Sequence, residues 1–322
     1  MKACRLWRIS TMQLLFDYLL QPPRILLLLL VCSATYVHFR GQVRLKFTRQ
    51  ITDHSTFTAP FNALLYLTSR APNRPFLDPA DFPELKLITD NWRTFRAEGL
   101  RLMDGARITT ATGDNDIGFH TFFKRGWKRF YLKWYGNDLP SARNLCPQST
   151  AILDRIPTVH GAMFATLPPG AKLGKHRDPF AGSLRYHLGL RTPNDDACWI
   201  EVDGVRKSWR DGEAMLFDET YVHEAFNGAD TTRLILFCDI ERPVAAPVAP
   251  LNRWMIHHTM KATGAPNVEG EPIGAINRLY SRLARFVSSG QALKARNRRL
   301  YYAVKTATIL CVIALFVAPW PS

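Results

Sequence analysis

Residues 184–190 read Leu184-Arg185-Tyr186-His187-Leu188-Gly189-Leu190, and their alternation decides the fold. Successive side chains of an extended chain point to opposite faces, so Leu184, Tyr186, Leu188 and Leu190 share one face while Arg185, His187 and Gly189 share the other. Such a strand puts a cation and an imidazole into an enclosed space. The same pattern continues outward. Cys198–Val202, the pair Asp203-Gly204 and residues 205–209 predict a hairpin, because Asp-Gly supplies the positive φ angles of a type I′ turn. Asp211-Gly212-Glu213 turns the chain into Ala214–Phe217, the strand carrying Tyr221-Val222-His223-Glu224 follows, and residues 233–240 close the series. From about residue 158 to 240 the chain therefore reads as mainly β, a series of short strands with regular turn signals, as in a β-sandwich or jelly-roll barrel.

Two features inside this region carry chemistry. In His176-Arg177-Asp178 a His and a carboxylate two residues apart on an extended segment point to the same side. A second His from a later strand, His223, completes one face of an octahedral metal and leaves three positions open, the two-His-one-carboxylate pattern of non-haem Fe(II) sites. His38, His54, His120, His160 and the pair His257-His258 have no carboxylate two residues on and read as surface or packing residues. Arg185 and Arg233 read as candidate anion-binding cations; the alternative is that they pair with Asp218, Glu224 or Asp239 as structural salt bridges.

The run from Pro169-Gly170 through His176, residues 184–190, Asp211-Gly212-Glu213, Phe217-Asp218, His223-Glu224 and Arg233-Leu234 resembles the aspartyl/asparaginyl β-hydroxylase family of Fe(II)/2-oxoglutarate dioxygenases. Residues 36–41, 53–57 and 122–135 fit best the bacterial branch that 2-hydroxylates acyl chains of lipid A. The resemblance covers roughly residues 30–245. It implies a double-stranded β-helix (jelly roll, cupin-like) with flanking helices. It also implies Fe(II) bound by His176, Asp178 and His223, with O2 and 2-oxoglutarate as co-substrates. By the same resemblance Arg233 takes the distal carboxylate of 2-oxoglutarate, His187 neighbours its chelating end, and Arg185 lies at the pocket rim. A guanidinium holds a carboxylate bidentately, which Lys cannot reproduce. Some family members have Gly where Asp178 stands; this chain keeps the carboxylate.

The termini are apolar. Residues 25–39 carry no charge between Arg24 and Arg40 and predict a membrane anchor or interfacial hairpin within 1–40. Thr306 onward is uncharged, with Lys294, Arg296, Arg298, Arg299 and Lys305 upstream, so 304–322 reads as a transmembrane segment with the preceding domain on the cytoplasmic side of a bacterial inner membrane. Between them the expected organisation is a helical cytoplasmic segment (41–110), the dioxygenase domain (111–245), and a linker with a basic amphipathic helix (246–303). Residues 83–103 predict one helix packed on the barrel, with Leu85, Ile88, Trp92, Phe95 and Leu102 as its apolar stripe. Six scattered Cys without Cys-x-x-Cys spacing argue against a disulfide framework or zinc site.

A net charge of +15 calls for an anionic partner. It concentrates beside the apolar ends and in the aromatic-basic stretch 119–135, which favours an anionic phospholipid surface and a lipid A or lipopolysaccharide precursor over nucleic acid; no protein partner is evident. Lys124, Arg125, Lys128 and Arg129 are the candidate headgroup cations. The alternative for this stretch is a solvated helix whose aromatics pack inward. The expected function is hydroxylation of C2 of a lipid A acyl chain. Hydroxylation of a Kdo sugar or of peptidyl Asp/Asn, and a non-catalytic glycolipid-binding cupin, are the competing readings.

Overall fold

A computed structural model describes residues 21–111 and 115–317. Its centre is a pair of antiparallel sheets. The major sheet has the order β1-β8-β5-β10-β3-β2 and the minor sheet β4-β9-β6-β7. The strands are β1 (Phe76–Leu77), β2 (Lys128–Trp134), β3 (Val159–Leu167), β4 (Lys172–His176), β5 (Ser183–Arg191), β6 (Cys198–Val202), β7 (Val205–Ser208), β8 (Ala214–Phe217), β9 (His223–Asn227) and β10 (Arg233–Glu241). From β3 onward the chain passes back and forth between the two sheets, with β6 and β7 forming a hairpin within the minor one, which makes the domain a jelly-roll double-stranded β-helix. The hairpin at Asp203-Gly204 is present, with φ of 50° and 83° at the two turn residues.

The alternation in β5 has its expected consequence. Leu184, Tyr186, Leu188 and Leu190 are fully buried on the face covered by α3, and the Tyr186 hydroxyl pairs with Thr89 at 2.9 Å. Arg185 and His187 point between the sheets. Gly189 is needed because a Cβ there would meet the Arg210 carbonyl oxygen at 2.0 Å.

The helices are α1 (Pro22–Phe39), α2 (Ala59–Thr68), α3 (Trp92–Asp104), α4 (Ala275–Arg296) and α5 (Arg298–Val317), with shorter turns between them. The single helix expected over 83–103 is three pieces: a 3₁₀ turn at Pro83–Leu85, a short helix at Lys86–Asp90, and α3. The Asn91 side-chain amide donates to the Leu87 carbonyl at 2.8 Å, and this local bond ends the first helix. The apolar stripe survives the break, with Leu85, Ile88, Phe95 and Leu102 all buried. Residues 41–110 are joined to the barrel through β1, which pairs with β8.

Helix α1 is the one helix among the described residues that is long and apolar enough to cross a membrane by length and composition, and only 11% of it is buried. Its C-terminal end is fixed to the barrel. Arg40, just past the helix, pairs with Asp218 at 2.5 Å, and Arg242 pairs with the same carboxylate at 2.8 Å. Helix α5 packs against α1. The C-terminal span expected at 304–322 is described only as far as Val317, and the charged residues Lys2, Arg5 and Arg8 of the 1–40 anchor lie outside the described residues.

Candidate active site

His176 ends β4 and His223 begins β9, and the two are register partners, brought opposite each other past a bulge that follows Leu173. Their ring centroids lie 4.2 Å apart. His176 Nδ1 bonds the Gly174 carbonyl at 2.7 Å and His223 Nδ1 bonds the Tyr221 carbonyl at 3.0 Å. A carbonyl only accepts, so each Nδ1 carries the proton and each Nε2 is left as a free donor atom for a metal. His176 Nε2 lies 3.7 Å from Asp178 Oδ1, and one ligand atom from each of His176, Asp178 and His223 falls within 4.8 Å of the others. The three residues can therefore hold one divalent ion by one face.

The loop that carries Asp178 is held at several points. The Asp178 N–H donates to the Glu219 carbonyl at 3.0 Å, the Asn62 amide donates to the Pro179 carbonyl at 2.9 Å, and Asp178 Oδ2 accepts from Arg185. Burial pushes the Asp178 carboxyl up, but Arg185, His223 and His176 outweigh it and hold it below the usual carboxylate range. Arg177, between the two ligands, is buried and donates to the carbonyls of Val37, His38 and Arg40. A cation thus caps the carbonyl end of α1, where the helix leaves acceptors unsatisfied.

Across the cavity from the triad, the two arginines of the sequence reading part company. Arg185 is a structural cation: it donates to Asp239 Oδ1 through Nε at 3.1 Å and Nη2 at 2.9 Å while also holding Asp178. Arg185 lines the cavity as expected, but its guanidinium is held by Asp239 and Asp178, which is the structural salt-bridge alternative for this residue. Arg233 is the opposite case. It is 2% exposed, has no carboxylate within ion-pairing distance among the described residues, and its Nε has no hydrogen-bond partner. Its guanidinium lies 4.2 Å over the ring of Trp209. Burial pulls its pKa down to about 10, so it remains charged at neutral pH. Beside it, Trp209 Nε1 donates to His187 Nδ1 at 3.4 Å, which puts the proton of a neutral imidazole on Nε2, and that atom also lacks a partner. Burial and Arg233 push the His187 pKa well below its ordinary value. Arg233, His187, His176 and His223 line one narrow cavity between the sheets. Two buried donors without partners, facing a metal-binding triad, are the arrangement a metal-chelating anion with a second acidic end would satisfy.

A sequence profile of the aspartyl/asparaginyl beta-hydroxylase family matches residues 89–243. Residues 89–243 belong to that family. The chain is 35% identical over 183 residues to an ornithine lipid ester-linked acyl 2-hydroxylase of Rhizobium tropici, a match covering 56% of this chain and 65% of the relative. It is 28% identical over 199 residues to the human aspartyl/asparaginyl beta-hydroxylase, covering 59% of this chain and 26% of the relative. The chain thus spans about two thirds and one quarter, respectively, of these relatives. Among solved structures it is similar to a Pseudomonas putida prolyl-4-hydroxylase, at 22% identity and a TM-score of 0.34, over 56% of this chain and 98% of that one.

The aromatic-basic stretch is not the solvated helix of the alternative reading, although its aromatics do pack inward. Residues 128–134 are β2, the edge strand next to β3, and only His120–Phe123 is a helical turn. Phe119, Trp127, Phe130, Tyr131, Trp134 and Tyr135 are buried. Phe119, Phe122 and Trp127 wall the cavity, and the Phe122 ring meets the ring of His176 at a centroid distance of 4.9 Å. Lys124, Arg125 and Lys128 are exposed. Arg129 is not a headgroup cation: it is 1% exposed and donates to Asp116 Oδ2 through Nε and Nη2 at 3.0 and 2.9 Å. Strand alternation turns it inward beside Tyr131, whose hydroxyl joins the same carboxylate at 3.1 Å.

Glu219, Phe122 and Trp209 are parts of the site that the sequence does not point to, and Asp239 is there only one of three candidate partners for Arg185 and Arg233. Glu219 is buried, accepts from the Ser183 hydroxyl at 2.8 Å, and is pushed up to about 8 by burial. Only Asp239 left a trace in the sequence, as an acid within the otherwise apolar run of the last strand.

Proposed function

We propose that this protein is an Fe(II)- and 2-oxoglutarate-dependent dioxygenase that hydroxylates C2 of a fatty acyl chain of lipid A at the cytoplasmic face of a bacterial inner membrane. The single observation that carries the reading is Arg233, a buried guanidinium without a carboxylate partner, across one cavity from His176, Asp178 and His223. Leaving a charged group so is costly unless a ligand completes it. Iron, when bound, supplies activation of O2, with oxidation of 2-oxoglutarate to succinate and CO2 giving two of the electrons and the substrate C–H bond the other two.

The residues then divide the work. His176, Asp178 and His223 hold the metal from one side and leave the other side for co-substrate and O2. Arg233 would bind the distal carboxylate through two parallel N–H groups of one guanidinium edge, and the Nε2–H of His187 would donate to the end nearer the metal. Arg185 keeps Asp178 ionised and oriented. Phe119, Phe122 and Trp127 provide an apolar wall against which an acyl chain lies with water excluded. A lipid acyl substrate is supported by the apolar helix α1 and by the activity named for the Rhizobium tropici relative, which also favours a second reading, the acyl chain of an ornithine lipid. Mass spectrometry of lipid A and of ornithine lipids from cells with and without the gene separates the two. The proposal expects a gain of one oxygen on a lipid A acyl chain that disappears with His176→Ala; the same gain confined to ornithine lipid supports the second reading. No oxygen gain on either lipid removes both.

A further inference from the structure

A second, wider groove lies outside the cavity between the sheets. It has a volume of about 1210 Å³ and lies between residues 44–52, just beyond α1, and the facing parts of α4 and α5. Arg44, Lys46, Arg49, Lys294, Arg298 and Lys305 line it, with Leu45, Ile51, Ile309 and Leu310 as apolar floor, and among the described residues no acidic side chain contributes to its walls. Among the described residues none of these six cations has a carboxylate within ion-pairing distance. Lys175 joins the lining from β4, one residue before His176. The groove therefore adjoins the strand that carries a metal ligand, on the side opposite the metal, where Lys175 approaches Glu201 and Glu224 at 3.9 and 3.8 Å.

Its setting indicates what fills it. Helix α1 leaves exposed aliphatic side chains, Leu26 at 60% and Leu29 at 56%, and α5 does the same with Val304 at 50% and Leu310 at 59%. The two helices pack on each other and both meet the globular body beside the groove. Cations where apolar helices reach a folded domain stand at headgroup depth. Six cations converging on one concave, partly apolar site exceed what a flat anionic surface requires and suit a ligand carrying more than one phosphate beside its acyl chains.

We propose that this groove, rather than the 124–129 stretch, docks the phosphorylated headgroup of the substrate lipid, so that its acyl chain can pass around the edge of β4 to the metal. The proposal rests on the lipid reading above and names the groups that select the headgroup.

The test is equilibrium binding to the full-length, metal-free protein in dodecyl maltoside micelles. Bis-phosphorylated lipid A, its dephosphorylated form and phosphatidylglycerol are titrated separately, so turnover plays no part. The proposal expects bis-phosphorylated lipid A to bind at least tenfold tighter than either of the others, and Arg49→Gln with Arg298→Gln to remove at least tenfold of that affinity. Both positions are exposed, and an unchanged melting temperature and circular dichroism spectrum confirm folding; Lys46→Gln with Lys294→Gln gives an independent pair. Equal binding of phosphatidylglycerol shows a site for general bilayer charge and overturns the claim, as does unchanged affinity in both pairs. Because binding is read without iron, a protein that binds the lipid but never hydroxylates it refutes the enzymatic reading and leaves this one standing; hydroxylation without groove-dependent binding does the reverse.

Discussion

Replacing Arg233 by Met separates a residue kept for a ligand from one kept for the fold. Burial alone draws its pKa down to about 10, and at 1.36 kcal/mol per pKa unit the ligand-free protein carries a cost of roughly 3 kcal/mol for holding that charge. Stacking on Trp209 at 4.2 Å returns about 1–2 kcal/mol of this. Arg233→Met should therefore leave the melting temperature of the ligand-free protein unchanged or raised. A buried charge pair broken on one side costs about 2–5 kcal/mol, so the same variant should raise the KM for 2-oxoglutarate by about 30-fold or more, with the KM for lipid little changed. Arg233→Lys keeps a charge but loses the fork and should fall between, again acting on 2-oxoglutarate far more than on lipid. Differential scanning fluorimetry without co-substrate and succinate release against 2-oxoglutarate concentration read the two effects. A ligand-free protein destabilised by more than about 2 kcal/mol, or equal effects on both substrates, would show that Arg233 serves the fold.

Other residues give contrasting outcomes. His176→Ala and His223→Ala should each abolish turnover and Co(II) binding while leaving circular dichroism unchanged, and Asp178→Ala should be severe. Arg185→Met should behave unlike Arg233→Met: it strands Asp178 and Asp239 in the interior and should lower unfolding stability by about 3–5 kcal/mol in urea. Arg177→Met should weaken Co(II) binding more than it lowers the melting temperature, because its contacts tie the ligand loop to the end of α1; loss of stability at unchanged Co(II) affinity would argue against that role. Burial raises the Asp218 carboxyl, but Arg242 and Arg40 outweigh it and hold it below the usual range. Its contribution to stability is thus present above the unfolded carboxylate value of about 3.9 and fades as pH falls below it. The stability difference between wild type and Asp218→Asn should be full at pH 7 and shrink below about pH 4 in denaturant titrations.

What was legible in the sequence was what local geometry dictates. Alternation in residues 184–190, the Asp203-Gly204 turn and the His-x-Asp spacing act within a few residues, so they read correctly. Apart from the family resemblance, Arg185 and Arg233 could not be told apart, since the difference is the company each keeps. Asp239 stands directly opposite Arg185 in the register of β10 and β5, a pairing that needs the register and not only the strands. Arg129 read as a surface cation for the same reason: Asp116, thirteen residues upstream, gives no local sign of being its partner. The basic groove has the same origin, because its cations come from segments some 250 residues apart and no window of sequence contains them together.

The central claim, that a metal held by His176, Asp178 and His223 couples oxidation of the co-substrate bound at Arg233 to hydroxylation of a lipid acyl chain, is tested most directly by the product ratio. Purified full-length protein is supplied with Fe(II), 2-oxoglutarate, lipid A and ¹⁸O₂, and succinate and hydroxylated lipid are quantified by mass spectrometry. The account predicts one ¹⁸O in the lipid hydroxyl and one succinate for each hydroxylated lipid, with both products lost in His223→Ala. Hydroxylation that proceeds without 2-oxoglutarate, or that is untouched in His223→Ala, would contradict it.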